Sequence, residues 1–259
     1  MRTPLVLTLA MVLGLGCVYP RRGTSLSPVH TDRTSTGMIH APPHIYRLTV
    51  VEAHVQPRMR GDLDWDDDGG LPDVQVRIYR NEELVWESET IDDSLNPQWN
   101  ATLPRNIEVP PHASMRFEVW DDDTVGGDPV GIHRDNGMPD TALPGADARI
   151  LLEGGSYLTL RADNPTPHRG VGIDEYELRP DALLITRVLS HSPASRAGLE
   201  PGDQIVAVGD QRVSALSDAR AASAVSMAAT RDSTLTVIKD GESTEQTVEL
   251  DQGFVWLTM

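Results

Sequence analysis

Only one cysteine, Cys17, stands in the 259 residues, so no disulfide can close within the chain. Basic side chains are scarce as well: 22 Lys and Arg against 39 Asp and Glu give a formal net charge of −17. A phosphate backbone is bound by clustered cations, so this balance excludes nucleic acid as a partner. No G-x-S-x-G elbow occurs, and none of the eight histidines has a sequence context that would make it a catalytic base. A non-enzymatic protein is expected. The apolar run LVLTLAMVLGLG at residues 5–16 is too short to span a bilayer as a permanent helix.

That run has the length of a signal-peptide core, with Arg2 ahead of it and small residues before Cys17. Residues 1–17 therefore resemble a bacterial lipoprotein signal peptide, in which Cys17 of the lipobox carries the lipid anchor. The resemblance implies export to the bacterial cell envelope and attachment to a membrane. Residues 18–44 are rich in Ser, Thr, Pro and His without apolar periodicity, and read as a flexible linker. Beyond the linker, 39% apolar content and the remaining length suffice for two small domains.

From Tyr46 onward short strand patterns recur. YRLTVVEA, VQVRIYR, ELVWESETI, SMRFEVW and ARILLEGGSYLTLRA mix apolar and polar positions at short intervals, with Gly, Pro, Asn and Asp between them. No long helical period interrupts them, which predicts an antiparallel β-sandwich over residues 45–165. Trp99 and Trp120 fall at strand positions and are expected in its core.

Two acidic clusters interrupt the strands: GDLDWDDDGG at residues 61–70, with Asp73 after it, and WDDDTVGGDPVG at residues 120–131. Carboxylates packed this closely repel one another unless a cation sits among them. Loops far apart in sequence meet at one end of a sandwich, and oxygen donors without nearby Cys or usefully spaced His favour calcium. Asp64, Asp66, Asp68 and Gly69 reproduce the start of an EF-hand loop, but the twelfth position is Gln75 inside a strand pattern, which rules that motif out. Leu63 and Trp65 stand among the acids at an expected loop tip, placed to touch phospholipid once calcium neutralises the loop.

Four motifs, in order, resemble the C2 domain, a calcium- and phospholipid-binding module: LTVVEA from Leu48, DDGGLPDVQV from Asp67, SLNPQWN from Ser94, and FEVWDDD followed by DPVG. The resemblance implies an eight-stranded antiparallel sandwich with calcium ligands at Asp67, Asp73, Asp121, Asp123 and Asp128. NPTP from Asn164 marks a boundary. Residues 168–251 then read as a small α+β module with a helix over residues 215–227 and two strands joined around Asp240 and Gly241, followed by a tail over residues 252–259. SPASRAGLEPGDQIVAVGDQRV and the GVGI loop from Gly170 resemble a PDZ domain of the bacterial, HtrA-associated kind. In such a domain the glycine-flanked loop cradles a C-terminal carboxylate while the adjoining strand edge accepts an extended peptide.

The PDZ resemblance implies a peptide site at Arg169, Gly170, Val171, Gly172, Ile173, Ala222 and Val225. A mainly β chain is thus expected, with a calcium-dependent, phospholipid-binding sandwich and a module that binds peptide or protein C-termini. The alternative from a different class is a regulatory or substrate-presenting subunit of an envelope protease, in which the sandwich is a metal-free spacer.

Overall fold

A computed structural model describes residues 21–24, 42–59, 61–65, 69–123, 126–140, 142, 144–228 and 233–259. The leader with Cys17, most of the linker, and Asp67 lie outside these residues. The described chain is mainly β. Strand β1 (Arg21–Thr24) comes first, followed by β2 (Ile45–His54), β3 (Val74–Arg80), β4 (Glu83–Glu87), β5 (Gln98–Thr102), β6 (Ile107–Glu108), β7 (Ser114–Asp121), β8 (Asp128–Asn136), β9 (Asp147–Leu151) and β10 (Tyr157–Asp163). Strands β5-β2-β10-β9 form one antiparallel sheet and β4-β3-β7-β8 the other, with the two-residue β6 added to β2.

Period-two alternation explains which side chains fill the space between the sheets. Val74, Val76 and Ile78 of β3 and Met115, Phe117 and Val119 of β7 point inward, into one cluster with Leu48, Val50, Leu158 and Leu160 of the facing sheet. The even-numbered residues of β7 point outward. Glu118 is only 2% exposed there because Arg116 and the Trp120 Nε1–H, at 2.8 Å, both donate to its carboxylate. Trp120, expected in the core, is accordingly half-buried on the outer face, where the Arg77 guanidinium lies 5.1 Å from its ring centre. Its parity with Arg116 and Glu118 decides this. Trp99 is also half-buried, packed against the core while its Nε1–H donates to the Glu89 carbonyl at 2.9 Å.

The second unit comprises β11 (His168–Arg169), β12 (Ile173–Leu178), β13 (Leu183–Val188), α1 (Pro193–Arg196), β14 (Gln204–Val208), β15 (Gln211–Arg212), a 3-10 turn at Val213–Ala215, α2 (Asp218–Ala228), β16 (Thr234–Ile238), β17 (Glu245–Glu249) and β18 (Phe254–Val255). Its sheet runs β1-β12-β13-β14-β16-β17, with β15 on β14, while β11 and β18 pair separately. Short α1 is capped by Ser192, whose Oγ accepts the Ser195 N–H at 3.1 Å, with Pro193 in the first turn. The helix expected over residues 215–227 starts later, because Val213–Ala215 winds as the 3-10 turn.

Two segments depart from expectation. Part of the linker, Arg21–Thr24, is an edge strand on β12. The tail is folded: Phe254 and Val255 pair with β11, Trp256 is 7% exposed, and Thr258 bridges to Asn106 of the sandwich. Met259 packs on the sandwich core and donates its N–H to the Asn106 carbonyl at 3.0 Å. Neither segment has an amphipathic period, because both are held by partners remote in sequence.

The tail joins a polar contact between the two units. Asp174 of β12, 2% exposed, is ion-paired with Arg105 of the sandwich and, at 3.2 Å, with Arg187 of β13. Both guanidinium groups also donate to the Thr258 carbonyl, at 3.3 and 2.9 Å. Removing a buried charge strands its partners, although these two arginines are each about a third exposed and so partly rehydrated. Asp174→Ala should lower unfolding free energy by about 2 kcal/mol, read by denaturant titration, and leave the secondary structure unchanged.

Candidate functional site

The acidic pole is built by adjacent strand ends. Register sets Val74, Asp121 and Asp128 in one row across β3, β7 and β8. Asp73, one residue outside that row, donates its N–H to the Asp121 Oδ1 at 2.7 Å, and its carbonyl accepts the Asp122 N–H at 2.7 Å. Loops separated by about fifty residues therefore meet here. The Asp121 side chain is fully buried, Asp73 and Asp123 are half-buried, and Asp128 is exposed. Gly127 is required by closeness alone: a Cβ there would lie 2.7 Å from the Asp121 carbonyl.

Other side chains neutralise the neighbouring acids. Asp122 turns back to the sheet, accepting from Thr90 Oγ1 at 3.1 Å and Arg77 at 3.5 Å. Arg58 reaches Asp64 at 3.2 Å and Asp62 at 3.5 Å, and its guanidinium donates to the Asp62 carbonyl. Asp73 accepts the Asp93 N–H at 2.9 Å on Oδ1, which still leaves lone pairs on that carboxylate for a cation. The donors are hard oxygens at one pole, which suits calcium. Among the described residues, no group of three or more His, Cys, Asp or Glu is close enough to hold a metal ion. Asp67, the remaining candidate, lies outside those residues.

Trp65 corrects an expectation. Instead of standing at an exposed tip it is 6% exposed, joins the sandwich core and donates its Nε1–H to the Gln56 carbonyl at 2.9 Å. Burying the ring against its own loop removes more apolar area from water than a tip position would. Leu63 remains 62% exposed. The counter-charge Arg58 was legible as a basic residue close to the acids, but which carboxylates it would meet depends on the turn at Asp62, where φ is 64°.

In the second unit the glycine loop precedes β12. The Val171 carbonyl accepts the Ala194 N–H and the Gly172 carbonyl the Leu189 N–H, both at 2.8 Å. In a trans peptide the following N–H points the opposite way, so the amides of Gly172 and Ile173 face away from α1 and β13, toward the other edge of β12. Arg169 is half-buried, with its guanidinium 5.4 Å from the Phe254 ring centre. Val171, Ile173 and Val225, expected to line an open apolar pocket, belong instead to the buried core at 1%, 2% and 0% exposure. Ala222 is only partly covered. The loop folds down on the core because Gly170 and Gly172 are themselves buried and allow close approach. Burial pushes the pKa of the neighbouring His168 down and that of Tyr176 up, with Asp218 at the start of α2 adding to the rise at Tyr176.

Gly172 is fixed by two constraints: its φ is +89°, and a Cβ would overlap the side chain of Ser192, the cap of α1. Gly172→Ala should therefore cost about 3 kcal/mol of stability, measured by denaturant unfolding, whereas the same change at open Gly241 should cost only about 1 kcal/mol.

Residues 44–134 match the C2 domain family model, and residues 184–239 match that of the PDZ domain, starting downstream of the glycine loop. Synaptotagmin-4 of Arabidopsis thaliana is 34% identical over 88 residues, which is 34% of this chain and 14% of that protein. Synaptotagmin-5 of Arabidopsis thaliana is 42% identical over 45 residues, 17% of this chain and 8% of that protein. The chain thus spans only a small part of the curated relatives it matches. Among solved structures, one described as the structure of a C2 domain is 18% identical with a TM-score of 0.35, over 46% of this chain and 97% of that one. A C2 domain of plant Extended Synaptotagmin 1 is 19% identical with a TM-score of 0.34, over 48% of this chain and 98% of that one. The chain carries a C2 domain followed by a PDZ domain.

Proposed function

We propose that the protein is a non-enzymatic adaptor of the bacterial cell envelope, tethered to a membrane through Cys17. Its C2 domain binds calcium at Asp67, Asp73, Asp121, Asp123 and Asp128 and contacts phospholipid, with exposed Leu63 at the rim. Its PDZ domain holds the C-termini of partner proteins at the edge of β12. The observation that carries this reading is the junction of the two acidic loops through the Asp73 N–H and the Asp121 carboxylate. Two modest contacts on one chain reinforce each other through effective concentration.

A second reading makes the chain a regulatory or substrate-presenting subunit of an envelope protease, with the sandwich as a metal-free spacer. It is favoured by the hydrogen bonds that Asp73 and Asp122 already accept from Asp93, Thr90 and Arg77, which close the pole without an ion.

Calcium titration followed by calorimetry on the whole chain separates the two. Under the first reading, millimolar calcium raises the melting temperature and drives sedimentation with anionic liposomes, and Asp73→Asn or Asp123→Asn weakens the calcium response at least tenfold. An unchanged melt at millimolar calcium favours the spacer. For the anchor, Cys17→Ser should move the protein from the membrane to the soluble fraction of the producing bacterium, read by fractionation and by loss of the acyl mass on the N-terminal peptide.

A further inference from the structure

The edge of β12 opposite β13 is not open. Strand β1 lies along it antiparallel, with Arg21 opposite Leu178, Arg22 opposite Glu177, Gly23 opposite Tyr176 and Thr24 opposite Glu175. The direction is informative. A peptide whose terminal carboxylate sat in the Gly170–Gly172 loop would end beside Ile173, and its preceding residues would extend along β12 toward Leu178. Such a peptide must run antiparallel to β12, from Leu178 toward Ile173. Strand β1 runs the same way on the same edge. Its register covers Glu175, Tyr176, Glu177 and Leu178, the stretch where the upstream part of a bound C-terminus would pair.

We infer that the chain's own segment Arg21–Thr24 acts as an internal competitor in the peptide groove, holding the PDZ domain in a self-capped state that an incoming C-terminus must displace. This rests on the peptide-capture reading of the PDZ domain. Register favours the pairing: Arg22 stands opposite Glu177, a cross-strand position of opposite charge. An edge strand left bare would offer unpaired N–H and C=O groups to any passing chain, and capping suppresses that hazard. The cap is weaker than a true ligand in one respect. RRGT lies within the chain and brings no terminal carboxylate to the glycine loop, so a free C-terminus gains a contact that β1 lacks. Apparent peptide affinity is then reduced by the fraction of molecules uncapped.

The test compares the full chain with Arg22→Pro/Gly23→Pro, which removes two donors from β1 and disfavours its pairing. Hydrogen exchange on the fragment covering residues 173–178 should be at least about tenfold faster in the variant, with unchanged melting confirming that the domain stays folded. A synthetic peptide of residues 18–28, amidated at its C-terminus, should restore protection to the variant and add none to the parent chain. On an array of free-carboxylate hexapeptides, the variant should bind at least about fivefold more tightly than the parent, and amidated copies should lose that binding. Equal exchange of residues 173–178 in the two proteins would overturn the cap whatever the array shows. Faster exchange in the variant with no hexapeptide bound by it would instead overturn peptide capture, and with it the inhibitory role, reducing β1 to an edge guard.

Discussion

A carboxylate at 2% exposure has lost its water and needs protein partners in its place, and Asp174 has two cationic ones that come from different parts of the chain. Arg187 belongs to the neighbouring strand of the PDZ sheet, whereas Arg105 belongs to the C2 domain. The same two guanidinium groups donate to the Thr258 carbonyl, so the final strand and its following residues are tied to the contact. This matters for function because Asp174 lies in β12, the strand proposed to pair with peptide. Any ligand at that edge binds to a strand whose second residue is already anchored to the C2 domain.

The same logic of unsatisfied groups accounts for the segments on either side of the two domains. Strand β12 would be a sheet edge but for β1, and β11 would be a two-residue orphan but for β18. Backbone groups need partners, and short polar segments supply them without contributing a core of their own. Trp256 is itself buried, and Met259 adds apolar burial against the C2 core. The architecture is therefore one of two conventional cores stitched together by segments whose own sequences carry no strong structural preference.

At the acidic pole, the repulsion among aspartates is lowered by several small contributions. Arg58 faces Asp62 and Asp64, Thr90 and Arg77 hold Asp122, and main-chain N–H groups occupy Asp73 and Asp121. The exposed pairs contribute little each, being screened by water. Their effect is to hold the Asp122 carboxylate against the sheet and to place cationic or N–H partners beside Asp62, Asp64, Asp73 and Asp121. Within that arrangement Asp121 is buried and Asp128 is exposed beside it on the neighbouring strand.

The sequence by itself determined the two-domain mainly β plan, since alternation in VQVRIYR and SMRFEVW and the glycine-flanked GVGI loop are local signals with a local cause. Period two also contained the placement of Trp120, which shares parity with Arg116 and Glu118. Tertiary structure alone decided the rest. Trp65 is buried because Gln56 offers a carbonyl and the core offers a face. Val171, Ile173 and Val225 serve as core because three remote elements close over one another. Arg105 is remote from Asp174 in the chain, as are β1 from β12 and the Thr258 carbonyl from its two donors. Pairings of that kind depend on which surfaces the folded domains present to one another, and no periodicity within a short window encodes them.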